Sequence, residues 1–322
     1  MCRITPSTFL ATLLALGLHV ASAQAQYVRT CVSANGNDAN TCHCSQPCRT
    51  FQRAHDQTLP DGELTVLDAG GYGPVTITKS ISIVNDGVGE ASIQVSGGTV
   101  GITVNAPAAG YVNLRGLTIQ GVGFGGGTGL RFNTGFSLTI TNCVVRNHTG
   151  DGIRFTPFAS SNLAVSNTLI ADNGGNGILV NPAGSGTGPV KVALSRVEMY
   201  NNSRDGFAVE GTNNRDATKA TVVESVAAGN GRNGFLARTT SGTLNQEYSL
   251  MLVRSVAVNN ATGIAADAVA VATTSLRVGQ STVTGNTASW SVSGNAILRS
   301  YGNNRINGNG DGDPAPPTIA KK

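Results

Sequence analysis

A short motif that recurs every 23 to 29 residues constrains the fold of this chain more than any other feature. Each copy contains an Asn, a few turn residues, a Gly and a short strand of alternating apolar residues, as in Asn173 to Val180 and Asn202 to Val209. The motif also begins at Asn147, Asn230 and Asn260, and the glycines that precede the strands are Gly129, Gly152, Gly177, Gly206, Gly234 and Gly263. A period kept over this many copies indicates stacked repeats, a solenoid.

A second alternating segment lies between successive motifs, as in Leu138-Thr-Ile140 and Leu163-Ala-Val165. It turns a corner in the middle, at a column of equivalent positions occupied by Gly116, Asn142, Asn167, Arg196, Glu224, Arg254 and Gln280. We therefore predict three short strands per rung, with two tight corners and one loop of variable length. One rung has no partner for its apolar interior, so rungs must stack as parallel strands about 4.8 Å apart.

The composition agrees with such a solenoid and disfavours two other folds. Corners need residues that tolerate positive φ, and the chain has 42 glycines among its 322 residues. A leucine-rich repeat would need leucines at fixed offsets and a helical half in each period. An antiparallel sandwich would not keep the motif in register over so many periods. The sequence thus predicts an all-β fold, with the β-helix spanning residues 61–310.

The first 25 residues have the features of a secretory signal peptide. Arg3 precedes an apolar run over residues 9–20, and two overlapping small-residue cleavage sites follow at residues 21–25. The run is shorter than the roughly 20 residues that span a bilayer, and no later stretch approaches that length, so we predict no membrane span. The sequence predicts a secreted or periplasmic protein.

Residues 26–60 form a predicted cysteine-rich N-terminal cap. In an oxidising compartment, four closely spaced cysteines favour two disulfides, with three pairings open; they are Cys31, Cys42, Cys44 and Cys48. A zinc site that includes His43 is the alternative, although the spacing matches no familiar zinc motif. Cys143 is predicted to be a free thiol buried in the core.

A short helix is expected in the same cap. Ser45 is placed near its N-terminus, Pro47 in its first turn, and Phe51 and Ala54 on the face turned toward the core. Such a helix would cover the open end of the first rung, which would otherwise expose strand edges and apolar residues.

Residues 311–322 form a predicted disordered tail. Asp311 and Asp313 precede a Pro-rich stretch, and oxygen side chains at alternate positions resemble half of a calcium loop. No bidentate Glu follows, so the sequence favours a solvated turn and no cofactor, with calcium as the alternative.

The charge balance excludes one class of partner. The formal net charge is +4, only 12% of residues are charged, and no basic cluster alternates with aromatic residues. Nucleic-acid binding is therefore not expected.

The chain resembles the pectin-lyase-like superfamily of right-handed parallel β-helices, particularly its secreted repeat proteins. The resemblance rests on Tyr27-Val followed by Val32-Ser-Ala-Asn-Gly36, on Pro47 with Thr50-Phe51, and on Ile77-Thr-Lys79-Ser-Ile81. It implies a right-handed parallel β-helix, and it covers residues 27–310. The superfamily contains lyases, hydrolases, esterases and epimerases, so it does not imply one activity. The catalytic patterns of polygalacturonase-like members and of uronate epimerases are absent from the sequence.

Several polar residues remain as candidates for a site. Asp151 and Asp205 precede motif glycines and could form a carboxylate pair for glycoside hydrolysis, although such corners also need Asp or Asn structurally. Glu198 is an outward carboxylate on a neighbouring strand. Arg131 and Arg154 occupy the same outward position on successive rungs.

Arg146, on the outward side of a neighbouring strand, adds a third cation at the same end of the predicted solenoid. Guanidinium groups match carboxylates in geometry, so these arginines could bind an acidic polysaccharide. The sequence therefore favours a non-catalytic exported β-helix that binds polysaccharide or a cell-surface component. A polysaccharide lyase or glycoside hydrolase is the alternative.

Overall fold

A computed structural model describes residues 27–183, 188–211, 217–240, 247–269 and 273–321. The predicted signal peptide lies outside the described residues. The chain forms a right-handed parallel β-solenoid of about ten turns, as predicted. Each complete rung contributes one strand to each of three sheets, and the sheets enclose one continuous apolar core.

The three sheets correspond to the three predicted strands of each rung. The first sheet contains Tyr27–Val32, Thr58–Val66, Ile81–Val84, Tyr111–Arg115, Ser137–Thr141, Thr218–Val223, Glu247–Val253, Thr273–Gly279 and Ile297–Ser300. The second sheet contains Gly70–Gly71, Ala91–Val95, Leu117–Gly121, Val144–Arg146, Val226–Ala228, Val256–Val258, Thr282–Thr284 and Arg305–Ile306. The strands Asn162–Ala171 and Val190–Tyr200 run through the corner and belong to both sheets.

The third sheet contains the strands that follow the motif glycines. They are Val75–Ile77, Ile102–Asn105, Leu130–Thr134, Ile153–Phe155, Ile178–Val180, Phe207–Gly211, Asn233–Thr239, Thr262–Ala268 and Ala288–Gly294. Every strand pair in the described ranges is parallel, and Ile178 lies opposite Ile153 on one side and Phe207 on the other. The register therefore places equivalent motif positions directly above one another.

The corner between the first and second sheets has the predicted backbone conformation. All seven residues of the predicted column have positive φ, from 47° at Arg254 to 71° at Gly116. Four of them have long side chains, and such residues rarely adopt this conformation: Arg196, Glu224, Arg254 and Gln280. Glu224 lies 3.6 Å from Arg196 Nη1 and 3.1 Å from Arg254 Nε, so an exposed ion-pair row accompanies the strained corner.

The core consists of inward residues stacked rung on rung. Leu138, Leu163 and Val192 are almost fully buried and lie opposite one another, as the alternation predicts. Phe132 and Phe155 stack with their ring centroids 4.4 Å apart. Cys143 is a free thiol within this core, as predicted, and burial raises its pKa to about 11.

The N-terminal cap is held by the two predicted disulfides, which pair Cys31 with Cys44 and Cys42 with Cys48. The zinc alternative is wrong, because the four sulfur atoms are bonded in pairs as two disulfides and none is free to bind a metal. Backbone bonds from Cys48 N to Cys31 O and from Ser33 N to Cys48 O also tie this segment to the first strand.

The cap helix spans Phe51–Gln57 and does not begin near Ser45, so the predicted start is wrong. The disulfide at Cys48 and its strand-like backbone bonds hold the preceding segment in an extended path, so a helix can begin only after it. Thr50 caps the helix by accepting a hydrogen bond from Arg53 N. Phe51 and Ala54 are buried, as predicted.

The C-terminal segment makes defined contacts with the last rungs, although the sequence predicts disorder there. Ser300 N donates to Pro317 O, and Ile319 N donates to Ser300 O. Trp290 Nε1 donates to Pro314 O at 2.7 Å. Among the described residues, no helix is both long enough and apolar enough to cross a membrane.

Candidate functional site

A column of buried amides runs along the corner between the second and third sheets. In this amide ladder, each side-chain Oδ1 accepts hydrogen bonds from the backbone N and Nδ2 of the preceding member. The members are Asn173, Asn202, Asn230, Asn260, Asn286 and Asn309. A second Nδ2 hydrogen bond reaches a backbone carbonyl, as from Asn230 to Met199 O at 3.1 Å. The ladder satisfies its own polar groups and is structural.

The first position of this ladder is occupied by His148, not by Asn147 as the repeat predicts. His148 N donates to Asn173 Oδ1, and its Nε2 donates to Ile119 O at 3.2 Å, as the Asn amides do elsewhere. Asn147 belongs to the adjacent column of positive φ, with φ of 63°. Burial lowers the pKa of His148, which is 1% exposed.

Asp151 and Asp205 belong to a second buried ladder at the same corner. Asp151 Oδ1 accepts from the backbone N and Nδ2 of Asn176, and Asp205 Oδ1 accepts from the same groups of Asn233. Asp205 N in turn donates to Asn176 Oδ1. The two carboxylates are therefore two rungs apart, with Asn176 between them, and each already accepts two amide hydrogen bonds. This arrangement supports the structural interpretation of both residues.

Arg131 and Arg154 are stacked on the outer face of the third sheet, and we call them the arginine pair. Their backbones lie directly opposite in register, with Thr103 below and Leu179 above. The Arg154 side chain is 42% exposed, and Arg131 is half-buried. Within the described residues their one ion pair joins Arg154 Nη1 to Asp151 Oδ2 at 3.6 Å.

The other candidates lie elsewhere. Arg146 is on the second sheet, and its Nε and Nη2 donate to Gln120 Oε1, so it is not stacked with the arginine pair. Glu198 is exposed on the second sheet, as predicted. Its neighbour Tyr200 has a raised pKa, caused by burial and by the charge and hydrogen bond of Glu198.

Farther along the solenoid, the outward column that contains the arginine pair is occupied by apolar residues. The period-2 alternation of the strands places Leu179, Ala208, Leu236 and Ala265 on the outer face, where they form an apolar cluster separate from the main core. They are buried, however, with exposures of 0–5%. The outer face of the third sheet is therefore open at the arginine pair and covered farther along the solenoid.

The structure also reveals a charged row that the sequence reasoning missed. Glu210, Arg238 and Asp267 lie opposite one another on successive rungs, two positions after Ala208, Leu236 and Ala265. Arg238 Nη2 forms a short ion pair with Glu210 Oε1, and both side chains are mostly buried. Extending the alternation by one more outward position in each strand would have found this row.

Asp311 and Asp313 cap the last rungs. Asp311 Oδ2 accepts from Ser289 N and Oγ, and Asp313 Oδ1 accepts from Asn309 N and Nδ2, which ends the amide ladder. For Asp311, slight burial opposes ionisation but the hydrogen bonds from Ser289 outweigh it and lower the pKa. Hydrogen bonds from Asn309 lower the pKa of Asp313. Across the described residues, no group of three acidic, His or Cys side chains is placed to hold a metal ion.

A cavity of about 640 Å³ lies far along the solenoid from the arginine pair. It is an open groove between the C-terminal segment and the first sheet, and Arg277, Tyr301 and Ile319 line it. The C-terminal segment forms one wall of this groove, so we treat the groove as part of the capped C-terminal end of the solenoid.

Comparison with protein families identifies the fold family. The model described as "Right handed beta helix region" matches residues 75–250. The chain therefore belongs to the right-handed β-helix family, in agreement with the resemblance drawn from its sequence. A comparison with curated proteins gives no match.

Comparison with solved structures finds similar chains at low identity. The pectate lyase Pel9A is 17% identical with a TM-score of 0.57, and the match covers 86% of this chain and 74% of that one. The A-module of mannuronan C-5 epimerase AlgE4 from Azotobacter vinelandii is 15% identical, with a TM-score of 0.40 and coverage of 82% and 90%. A rhamnogalacturonan lyase is 14% identical, with a TM-score of 0.38 and coverage of 80% and 76%. At 17% identity, the likeness to the pectate lyase shows the fold alone.

Proposed function

We propose that this protein is an exported, non-catalytic β-helix that binds an acidic polysaccharide through Arg131 and Arg154. The observation that carries the proposal is their direct stacking on an open sheet face next to Asp151, whose ion pair orients Arg154. Like charges opposed on adjacent strands destabilise a sheet. The fold does not require arginine there, because Thr103, Leu179 and Ala208 occupy the same column on other rungs.

A polyuronate is the ligand class that this pair suits. Its carboxylates repeat along an extended chain, and each can accept paired hydrogen bonds from a planar guanidinium. Asp151 holds one side of Arg154 in place, while the exposed part of that side chain remains available. Export is supported by the signal-like residues 1–25 and by the two disulfides, which persist in oxidising compartments.

Calorimetry with polygalacturonate and alginate at low salt tests the proposal. Replacing both residues (Arg131→Ala with Arg154→Ala) should weaken binding at least about tenfold without changing stability, and wild-type binding should fall steeply with added salt.

A matched control exists on the first sheet, where Arg277 and Arg299 also lie opposite each other. The double variant Arg277→Ala with Arg299→Ala loses the same charge and should bind as the wild type does. Equal losses in both double variants, or binding retained without Arg131 and Arg154, would show that the arginine pair is not the site.

One observation favours a catalytic alternative, a polysaccharide lyase or hydrolase. Glu210 and Asp267 flank Arg238 on a sheet face, so two carboxylates lie about 9.6 Å apart at the backbone, two rung steps of 4.8 Å. This is near the upper limit of the separation used by inverting glycosidases. Unsaturated products or new reducing ends that disappear in Glu210→Gln would support this alternative.

A further inference from the structure

Three exposed aromatic rings lie at one edge of the arginine-pair surface. Tyr111, Phe136 and Phe158 are 54%, 37% and 59% exposed. They stand on three successive rungs, where the chain passes from the third sheet to the first: Phe136 and Phe158 lie in the connections, and Tyr111 is the first residue of the strand Tyr111–Arg115. Aromatic residues make up only 5% of the chain, so three exposed rings on adjacent rungs form an unusual local concentration.

The rings have defined positions because the loops that carry them are hydrogen-bonded across rungs. Phe136 N donates to Gly110 O, and Asn162 N donates to Phe136 O. Phe158 N donates to Asn133 O. The ring centroids of Tyr111 and Phe136 are 5.3 Å apart, with the planes tilted by 60°. We call these three residues the aromatic edge. Cross-rung hydrogen bonds and the contact between two of the rings fix the shape of this surface.

Short stretches of chain join the aromatic edge to the arginine pair. Phe136 follows Arg131 by five residues, and Phe158 follows Arg154 by four. Even a fully extended chain therefore separates the Cα atoms of the first pair by at most about 17 Å and those of the second pair by at most about 14 Å. Asn133 lies between the two groups, and its Nδ2 donates to Asn105 Oδ1 at 2.8 Å. Cations, amides and aromatic rings thus follow one another across two adjacent rungs.

We propose that the aromatic edge is a sugar-ring subsite that extends the arginine pair, so that a polyuronate crosses the rungs and runs over this edge. The inference rests on the proposed function. The C–H groups on one face of a pyranose ring form an apolar surface that packs on an aromatic ring, while its hydroxyl groups bond to amides such as Asn133. The arginine pair then binds carboxylates, and the rings bind the faces of neighbouring sugars.

Calorimetry of the full chain with oligogalacturonides tests this subsite. The double variant Phe136→Ser with Phe158→Ser should weaken binding of a long oligomer at least about tenfold and leave the affinity for a dimer unchanged. Tyr111→Phe, which keeps the ring, should bind as the wild type does. Ile297→Ser provides a matched control, because Ile297 is 40% exposed at the distant end of the solenoid.

Saturation transfer in NMR supplies a second readout. Irradiation of the aromatic protons should transfer signal to sugar C–H protons in the wild type, and this transfer should be lost in the double Phe variant. If the Phe variant binds like the wild type while the Arg131 and Arg154 variant does not, the subsite is wrong and the proposed function stands. Failure of the wild type to bind any oligogalacturonide overturns both. Sedimentation that shows a dimer lost only in the Phe variant would identify the rings as a self-association surface and overturn the subsite.

Discussion

Two parts of the third sheet's outer face share one backbone geometry but differ in chemistry. At the arginine pair, cations are stacked and partly exposed, with one ion pair to Asp151. At the charged row, Arg238 is stacked between two acids, and its partner Glu210 is mostly buried. In the charged row, Glu210 and Arg238 neutralise each other inside the protein. The guanidinium groups of the arginine pair are partly exposed and can bind a ligand. The difference indicates that a binding site lies where outward charges on neighbouring rungs do not neutralise one another.

The largest expected effect concerns the inside of this sheet. Ile178→Asp should reduce the free energy of unfolding by more than about 4 kcal/mol, because a carboxylate in the stacked core has neither water nor a partner. Ser166→Asp, at an outward position of the first sheet, should change it by less than about 0.5 kcal/mol. Denaturant unfolding followed by circular dichroism measures both, and equal midpoints would refute the inward and outward assignment.

A smaller effect should separate the two parts of the outer face. Leu179→Asp places a charge in the covered apolar cluster and should cost about 2–4 kcal/mol of unfolding free energy. Arg131→Asp, two rungs away in the same column, should be neutral or slightly stabilising, because the introduced carboxylate would lie opposite Arg154. If Leu179→Asp is as stable as Arg131→Asp, the cluster is open to solvent and the comparison fails.

Replacing Arg238, the central cation of the charged row, should reduce the free energy of unfolding by less than Leu179→Asp does. Arg238→Met leaves Glu210 mostly buried without its partner, and we expect a loss of about 1–3 kcal/mol. Arg131→Met should have almost no effect on stability. The double variant Glu210→Gln with Arg238→Met should recover part of the loss, since no unpaired charge remains. No recovery would mean that packing of the Arg238 stem, not its charge, stabilises the row.

The smallest effect concerns the two ladder carboxylates. Asp151→Asn and Asp205→Asn should each cost less than about 1 kcal/mol, because an amide Oδ1 can accept the same hydrogen bonds. Asp205→Ala should cost more, since it leaves Asn233 N and Nδ2 without their acceptor. Asp205→Asn should not alter polysaccharide binding, because within the described ranges Asp205 has no contact with the arginine pair. Loss of any polysaccharide cleavage in Asp205→Asn would instead assign this residue to catalysis.

The sequence predicted the solenoid because stacking repeats the same requirement at every rung. Corner residues such as Asn142 and Arg196 recur at one position, and that position has positive φ in the structure. The disulfide pairing and the helix start at Phe51 depend on contacts between distant segments, which no repeat encodes. His148 was missed as a ladder member because only the spacing to Gly152, not its residue type, matches the Asn positions.

The candidate site was harder to predict because it departs from the repeat. Alternation placed Arg131 and Arg154 on the outer face correctly, yet it could not show that Leu179 in the same column is covered. Burial of an outward residue depends on what packs over the sheet. Arg146 lies on a neighbouring strand, as predicted, but a corner of the rung separates its sheet from that of the arginine pair.

Hydroxyl-radical footprinting of the protein with and without a long oligogalacturonide shows directly whether the ligand binds over the arginine pair and the aromatic edge. The account predicts that ligand protects Tyr111, Phe136 and Phe158, whose exposed rings lie beside the arginine pair, and leaves the labelling of Tyr301 unchanged. Protection confined to Tyr301 and other residues at the C-terminal end, with unchanged labelling of the three aromatic rings, would contradict it.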